Sequence, residues 1–118
     1  METLSNQEEE AMTAIWLKGE GFIREFLAHH KEPKLPYTTL SSTIKNLERK
    51  KYIKGLRVGN CFRYKAMISE IDYKKQSLNI IVNNYFKNSY KDLVTFFATE
   101  NKINSNELEE IIKLIEKR

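Results

Sequence analysis

The hydrophobic pattern of this chain changes its period near residue 52, and this change limits the folds that the chain can adopt. Residues 36–51 carry apolar side chains at helical spacing, with Tyr37, Leu40, Ile44 and Leu47 on one predicted buried face. Residues 52–57 and 61–66 instead alternate with the period of two that is typical of strands, and Val58-Gly59-Asn60 forms a tight connection. The pattern predicts a helix followed directly by a β-hairpin.

Capping residues and helix breakers locate the remaining elements. Ser5 to Glu8 forms a capping box that begins a first helix, and Gly19 and Gly21 end it. A second short helix covers about residues 22–30 and stops before Pro33. The predicted starts of three later helices are Ser69, Ser89 and Asn104. The chain is therefore expected to be mainly α with a small β-hairpin, and its first four elements have the order of a winged helix-turn-helix domain.

Positive charge is concentrated in the middle of the chain. Residues 18–65 contain twelve Lys and Arg against four Glu, which is a net charge of +8. Residues 1–17 carry −4 and residues 66–118 are neutral, so the whole chain carries +4. A localised basic surface attracts polyanions. On charge alone a solvated lysine-rich face is an equal alternative, but the basic segment also contains the third helix and the hairpin.

The third helix has a polar face opposite its apolar one. At about 100° per residue, Thr38, Ser42, Lys45 and Arg49 form one stripe. Such a helix fits the major groove of B-DNA, where hydroxyls and cations reach phosphates and base edges. We predict that this stripe contacts DNA, the alternative being an exposed face that contacts nothing. The neighbours predicted to support it are Tyr37, Thr39, Ser41 and Asn46.

The hairpin is the predicted wing. Arg57, Asn60 and Arg63 lie at or near its tip, where they suit contacts with the DNA backbone or with a narrow minor groove. The alternative is a hairpin that only closes the core, a role that suits Phe62 and Tyr64 in either case.

The last third of the chain carries more apolar surface than three short helices can readily bury. We predict that a second copy covers it, since twofold dimers are the commonest homo-oligomers. The alternative is packing against the winged domain. The predicted interface residues are Leu78, Ile81, Val82, Tyr85, Phe86, Phe96, Phe97, Leu108, Ile111, Ile112 and Ile115. Residues 1–68 are thus predicted to form a DNA-binding domain and residues 69–118 a helical dimerisation domain.

Catalytic and metal-binding patterns are weak. Cys61 is the single cysteine, and the adjacent His29 and His30 point in different directions on a helix. We expect no enzyme activity, no cofactor and no metal. The first residues are acidic, unlike a signal peptide, and no apolar run approaches the roughly 18 residues of a membrane span. We therefore expect a cytoplasmic protein.

These residues resemble the penicillinase and methicillin-resistance repressors, a family of dimeric winged-helix regulators. The resemblance covers nearly the whole chain, although Lys51 stands where the family commonly has glycine. It is carried by Leu4-Ser5 through Ile15-Trp16, by Tyr37-Thr38-Thr39-Leu40 through Leu47, by Lys50 to Ile53, by Phe62-Arg63-Tyr64, and by Leu93-Val94 through Ile111.

The resemblance implies a homodimeric transcriptional repressor on a palindromic operator, in a β-lactam-response or related sensor-controlled system. In antibiotic-responsive members, a membrane metalloprotease sensor triggers cleavage of an Asn-Phe bond in the dimerisation region. The matching pair, and so the candidate proteolytic site, is Phe96-Phe97, in which the asparagine is absent. Paired C-terminal cysteines of a copper-responsive branch are absent from this sequence too. The alternative to DNA binding is a winged-helix module that binds protein partners.

Overall fold

A computed structural model of the chain describes residues 1–117, so that Arg118 of the predicted second domain lies outside the described residues. The residues form two compact units, of which the first is Met1–Tyr73 and the second begins at Lys74. The elements are α1 (Asn6–Lys18), α2 (Ile23–His29), α3 (Tyr37–Arg49), β1 (Ile53–Val58), β2 (Cys61–Ala66), α4 (Glu70–Tyr85), α5 (Tyr90–Thr99) and α6 (Ser105–Glu116). The predicted fold class, mainly α with one hairpin in the winged-helix order, is confirmed.

Local capping sets where several helices begin. At α1 the Glu8 N–H donates to Ser5 Oγ at 3.2 Å, and the Ser5 N–H donates to Glu8 Oε1 at 2.8 Å. Asn104 and Glu107 make the same reciprocal pair of bonds at α6. Each pair satisfies amide groups that a helix start otherwise leaves without partners. The capping box predicted at Ser5 and the helix start predicted at Asn104 are confirmed.

The core of the first unit lies where α1, α2, α3 and the hairpin meet. Leu40, Ile44 and Leu47 of α3 are buried, as their spacing predicts. Tyr37 differs from the prediction, because it is the first residue of α3 and 46% of its surface stays exposed. The cluster consists of Ala11, Met12, Ala14, Ile15, Phe26, Leu40, Ile44, Leu47, Tyr52, Ile53 and Tyr64. Packing on this core fixes the side of α3 that remains in solvent.

The hairpin is antiparallel and closes with a two-residue turn. Val58 pairs with Cys61, which leaves Gly59 and Asn60 as the loop. Gly59 has a φ of 63°, the positive value that a type II′ turn requires at its first loop position. A further antiparallel bridge, not foreseen from the sequence, joins Tyr64 to the segment between α1 and α2. Its two backbone hydrogen bonds to Gly21 measure 2.7 and 3.0 Å, and they hold the hairpin beside the helices.

The second unit consists of α5, α6 and most of α4. Among the described residues of this unit, Val82 is the one large hydrophobic residue that is fully buried. The rings of Phe86 and Phe96 meet edge to face with centroids 5.7 Å apart, and Phe96 stands 5.8 Å from Phe97. In the part of the chain that the structure describes, no helix combines the length and apolar character needed to cross a membrane.

Candidate nucleic-acid interface

The outer face of α3 presents a polar and basic stripe. Thr38, Ser42, Lys45 and Arg49 are all exposed, and they lie opposite the buried side of the helix. Of their neighbours, Tyr37 and Asn46 are exposed whereas Thr39 and Ser41 are half-buried. The fold therefore brings together on one surface all four residues of the stripe that the sequence predicts.

A groove of about 520 Å³ separates α3 from the wing. One wall is formed by Tyr37, Ser41 and Lys45, which follow one another at intervals of one helical turn. Asn60 and Phe62 of the hairpin lie in the other wall. Within the predicted interface, therefore, Tyr37 and Ser41 face the wing side of α3, and Lys45 belongs both to the stripe and to the groove.

The segment that leads into α2 and the helix itself close the end of the groove with Phe22, Ile23, Arg24 and Glu25. Nothing in the hydrophobic pattern of α2 marks Arg24, because the periodicity there reports only the buried face. Its inclusion in the groove follows from the way α2 packs against α3 and the hairpin. Arg24 is exposed and makes no ion pair with the described residues, and the same holds for Lys45.

The other predicted cations have local partners. Arg49 Nη1 lies 3.8 Å from Glu2 Oε1, and both side chains are well exposed. Arg63 Nε lies 3.8 Å from Glu20 Oε1, also at the surface. Arg57 Nε donates to the carbonyl oxygen of Gly59 at 3.0 Å, within its own turn. Exposed pairs of this length are weak, so a phosphate can replace either carboxylate.

The end of α3 is tied to the N-terminal segment by a buried ion pair. Lys50 Nζ lies 2.8 Å from Glu8 Oε1 and also donates to the Thr3 carbonyl oxygen at 2.9 Å. The Tyr52 hydroxyl donates to the Glu2 carbonyl oxygen at 2.5 Å. Burial by itself raises the pKa of Glu8, but hydrogen bonds from Lys50 and Ser5 outweigh it and hold the pKa below its ordinary value. This network fixes the junction between α3 and the wing.

A second contact sets the base of the wing. The Gly55 N–H of β1 donates to Glu48 Oε2 on α3 at 3.1 Å. Tyr64 is buried beside this contact, and that burial, with a smaller contribution from Glu48, raises the pKa of its phenol above the ordinary value. The Gly55–Glu48 bond holds the base of the hairpin against α3.

Comparison with known proteins assigns the chain to a family. The family model described as penicillinase repressor matches residues 4–117. The chain belongs to the penicillinase repressor family. It is 26% identical over 120 residues to the methicillin resistance regulatory protein MecI of Staphylococcus aureus strain N315, with 98% of this chain and 94% of that protein covered.

Two further relatives agree with this assignment. The protein of the same name from Mammaliicoccus sciuri is 25% identical over 120 residues, with 98% of this chain and 94% of that protein covered. The penicillinase repressor of Staphylococcus aureus is 28% identical over 109 residues, covering 92% and 86% respectively. The predicted family resemblance is confirmed.

A solved structure of a Lactococcus lactis ZitR mutant in apo form is also similar. Its TM-score is 0.41 at 16% identity, with 95% of this chain and 79% of that chain covered. A similarity at this level adds nothing to the fold described above.

The second unit of this penicillinase repressor family member leaves much of its apolar surface in solvent. The predicted interface residues that are exposed are Leu78, Ile81, Tyr85, Phe96, Phe97, Ile111, Ile112 and Ile115. Phe86 and Leu108 are half-buried. Val82 is buried within a single chain, with only 1% of its surface exposed. On α6, Leu108 and the three isoleucines share one face. An exposed apolar face of this extent is typical of a surface that contacts another molecule.

Metal-ligating side chains do not gather anywhere in residues 1–117 in groups of three or more. Cys61 is exposed on β2 at the edge of the α3–wing groove. The family is one of repressors, which are not enzymes.

Proposed function

We propose that the protein is a transcriptional repressor that binds operator DNA as a homodimer. In this proposal residues 1–68 contact DNA and residues 69–118 form the dimer, in the cytoplasm where the operator is. The observation that carries it is the exposed stripe of Thr38, Ser42, Lys45 and Arg49 beside a wing, in a chain of the penicillinase repressor family. The curated relatives, which are a penicillinase repressor and methicillin resistance regulatory proteins, support it.

The chemistry of the stripe suits the major groove. The short hydroxyl side chains of Thr38 and Ser42 allow the start of α3 to approach the groove floor. Lys45 and Arg49 reach further, either to guanine edges or to phosphates. On the wing, Arg57, Asn60 and Arg63 contact the backbone or the adjacent minor groove. Repression then follows because a protein seated on an operator blocks access to the promoter.

Dimerisation explains the exposed apolar faces of the second unit. Two identical DNA-binding units require two related half-sites, which is the symmetry of a palindromic operator. Linking the two units also multiplies the affinity of each, because the second binding event becomes intramolecular. We infer that the exposed apolar side chains of α4, α5 and α6 bind the same surface of a second copy.

Fluorescence anisotropy with duplex DNA from upstream of the protein's own gene tests the proposal. We expect the Lys45→Ala, Arg49→Ala double variant to bind more weakly, with a salt slope flatter by about 0.9 for each phosphate that the variant no longer neutralises. The matched control is Lys91→Ala, Lys102→Ala, which removes the same charge from the second unit. Unchanged affinity and slope in the first variant would contradict the proposed face. If the wild-type protein fails to bind any duplex at low salt, the protein-binding module is the better assignment.

We also propose that a membrane metalloprotease sensor relieves repression by triggering cleavage within the second unit. The Phe96–Phe97 bond lies inside α5, so a protease reaches an extended backbone there only after the helix opens locally. We propose that Phe96→Asn, which restores the asparagine of the family's scissile pair, increases cleavage. The measurement is co-expression with a membrane metallopeptidase encoded beside the gene, followed by fragment analysis. Equal cleavage of both forms would show that this bond is not the control point.

A further inference from the structure

The geometry of a DNA duplex determines which part of the DNA would occupy the α3–wing groove. If α3 lies in the major groove and the wing reaches the adjacent minor groove, one DNA strand must pass between them, because a single backbone separates the two grooves. The space between α3 and the wing is the groove of about 520 Å³. This placement of the strand rests on the proposed function and extends it to residues that the sequence did not indicate.

We propose that the α3–wing groove seats the sugar-phosphate backbone of one DNA strand and that Arg24 of α2 is one of its phosphate-binding residues. Arg24 of α2 and Lys45 of α3 both lie in the lining, and neither makes an ion pair with any described residue. Arginine binds phosphate through a planar set of donors, with more directional contacts than lysine makes. Two cations without a local carboxylate partner are available to bind the phosphates of a polyanion.

The single carboxylate in the lining, Glu25, has local partners. Glu25 Oε1 accepts the Phe22 N–H at 2.9 Å, and Glu25 Oε2 lies 3.4 Å from Lys18 Nζ. Lys18 offsets part of the negative charge of Glu25, and the lining contains two cations, Arg24 and Lys45, against this one carboxylate. The charge balance of the lining remains positive.

Apolar side chains supply the rest of the surface. Phe62 and Tyr64 point to the same side of β2, with ring centroids 6.4 Å apart. Tyr64 is buried, whereas 49% of the Phe62 surface stays exposed in the groove opposite Tyr37. A sugar-phosphate strand has apolar deoxyribose faces between its charges, so aromatic walls and separated cations match its alternating chemistry.

A second cavity has a similar volume, but the charges of its lining do not suit a phosphate strand. A groove of about 510 Å³ beside α1 is lined by Glu9, Glu10, Lys31 and His29, among others. Lys31 is paired there with Glu10 at 3.1 Å, and the lining has no cation that lacks a partner. Carboxylates repel a phosphate strand, so the α3–wing groove suits such a strand better than this cavity does.

The test is a salt titration of binding to a short random-sequence duplex, between about 50 and 200 mM salt. We expect Arg24→Gln to flatten the slope of log affinity against log salt by about 0.9 per bound protomer. The control Lys31→Gln removes the same charge outside the groove and should keep the wild-type slope. Phe62→Ala should weaken binding by an equal factor at every salt concentration without changing the slope, because it removes an uncharged side chain from the groove.

The outcomes separate this inference from the proposed function. Salt-dependent binding by the wild-type protein with an unchanged slope in Arg24→Gln overturns the phosphate contact and leaves the repressor proposal standing. Equal flattening in Arg24→Gln and Lys31→Gln also overturns it, because the charge then acts through the overall field. No wild-type binding at low salt overturns both. Circular dichroism checks that the variants are folded, which the exposure of Arg24 leads us to expect.

Discussion

Glu8 has two structural roles in the first unit. Its backbone and side chain complete the capping box of α1, and its carboxylate binds Lys50 forty-two positions away. Glu8 is 5% exposed, so the pair is largely shielded from water. A buried pair adds little to stability over an apolar replacement of both partners, but removal of one partner leaves an unpaired buried charge. The pair therefore matters most for the position of the residues around it.

Replacing Lys50 with methionine tests this reasoning. We expect Lys50→Met to lower the free energy of unfolding by about 3 kcal/mol at neutral pH, because the Glu8 carboxylate stays buried without its partner. The pKa of Glu8 is lowered in the folded protein, so its contribution is present above the unfolded value of about 4.3 and is lost as pH falls through the folded value. Urea denaturation at neutral and at acid pH measures this.

The destabilisation by Lys50→Met should therefore shrink at acid pH, where Glu8 becomes neutral. The control is Lys31→Met, which breaks the exposed pair with Glu10 and should cost less than about 1 kcal/mol. A cost for Lys50→Met that is the same at acid and neutral pH would exclude the charge as its cause.

We expect Glu2 to compete with DNA for Arg49. The two side chains form an exposed pair at 3.8 Å, and Arg49 belongs to the proposed DNA-binding stripe. We expect Glu2→Gln to raise DNA affinity by up to about fivefold at low salt, the equivalent of about 1 kcal/mol, and to have little effect at high salt. Anisotropy titrations measure this, with Glu10→Gln as the control for removal of a negative charge. An identical rise in both variants would show a general field effect in place of competition.

At the scale of elements, the junction between α3 and the wing depends on a position without a side chain. A Cβ at Gly55 would lie 2.7 Å from Tyr64 Cε1 and 3.0 Å from Glu48 Oε2. The close approach lets the Gly55 N–H bind Glu48 and lets Tyr64 pack under the strand. The contact at Gly55 therefore holds the base of the wing against α3.

We expect Gly55→Ala to destabilise the protein by about 1–3 kcal/mol, because the added methyl group forces Tyr64 or Glu48 to move. Thermal denaturation of the single variant measures the cost. In a Tyr64→Leu background the same substitution should cost less, since the ring atom that it would strike is gone. Additive effects of the two substitutions would show that the methyl group and the ring do not collide.

At the scale of the whole molecule, the two units differ in how completely they bury their apolar residues. The first unit has a core of eleven buried residues drawn from its helices and hairpin. The second unit has Val82 as its fully buried large hydrophobic residue in the described chain, while α5 and α6 have none. We therefore expect the second unit to bury its exposed apolar residues against a partner, as proposed above for a second copy.

We expect the wild-type protein to sediment as a dimer and Ile112→Asp to sediment as a monomer, because a carboxylate on the apolar face of α6 cannot be buried unpaired. Analytical ultracentrifugation measures the mass. The monomer should also bind a palindromic duplex more weakly while keeping its affinity for a half-site. Leu17→Asp, which changes an exposed leucine of α1, is the control and should remain dimeric. A monomeric wild-type protein would refute the proposed assembly.

The sequence alone predicts the elements that depend on interactions between residues close together in the chain. The helix starts at Ser5 and Asn104, the buried stripe of Leu40, Ile44 and Leu47, and the presence of a hairpin turn at Gly59 and Asn60 all depend on residues a few positions apart, although the structure shortens the predicted connection of residues 58–60 by extending β1 to Val58. Spacing of this kind is visible in a single sequence because helices and strands repeat with fixed periods. The element order, and with it the winged-helix fold, follows from the same patterns.

Only the tertiary structure decided the contacts between distant segments. The Gly21–Tyr64 bridge and the Glu8–Lys50 pair join residues that are about 40 positions apart, and the α3–wing groove brings Arg24 of α2 together with residues of α3 and the hairpin. Periodicity reports which face of an element is buried, but it does not report which element covers that face or which polar groups meet at the edge. The face of α3 that meets solvent was therefore set by the sequence, while the shape and charge of the groove beside it were set by packing.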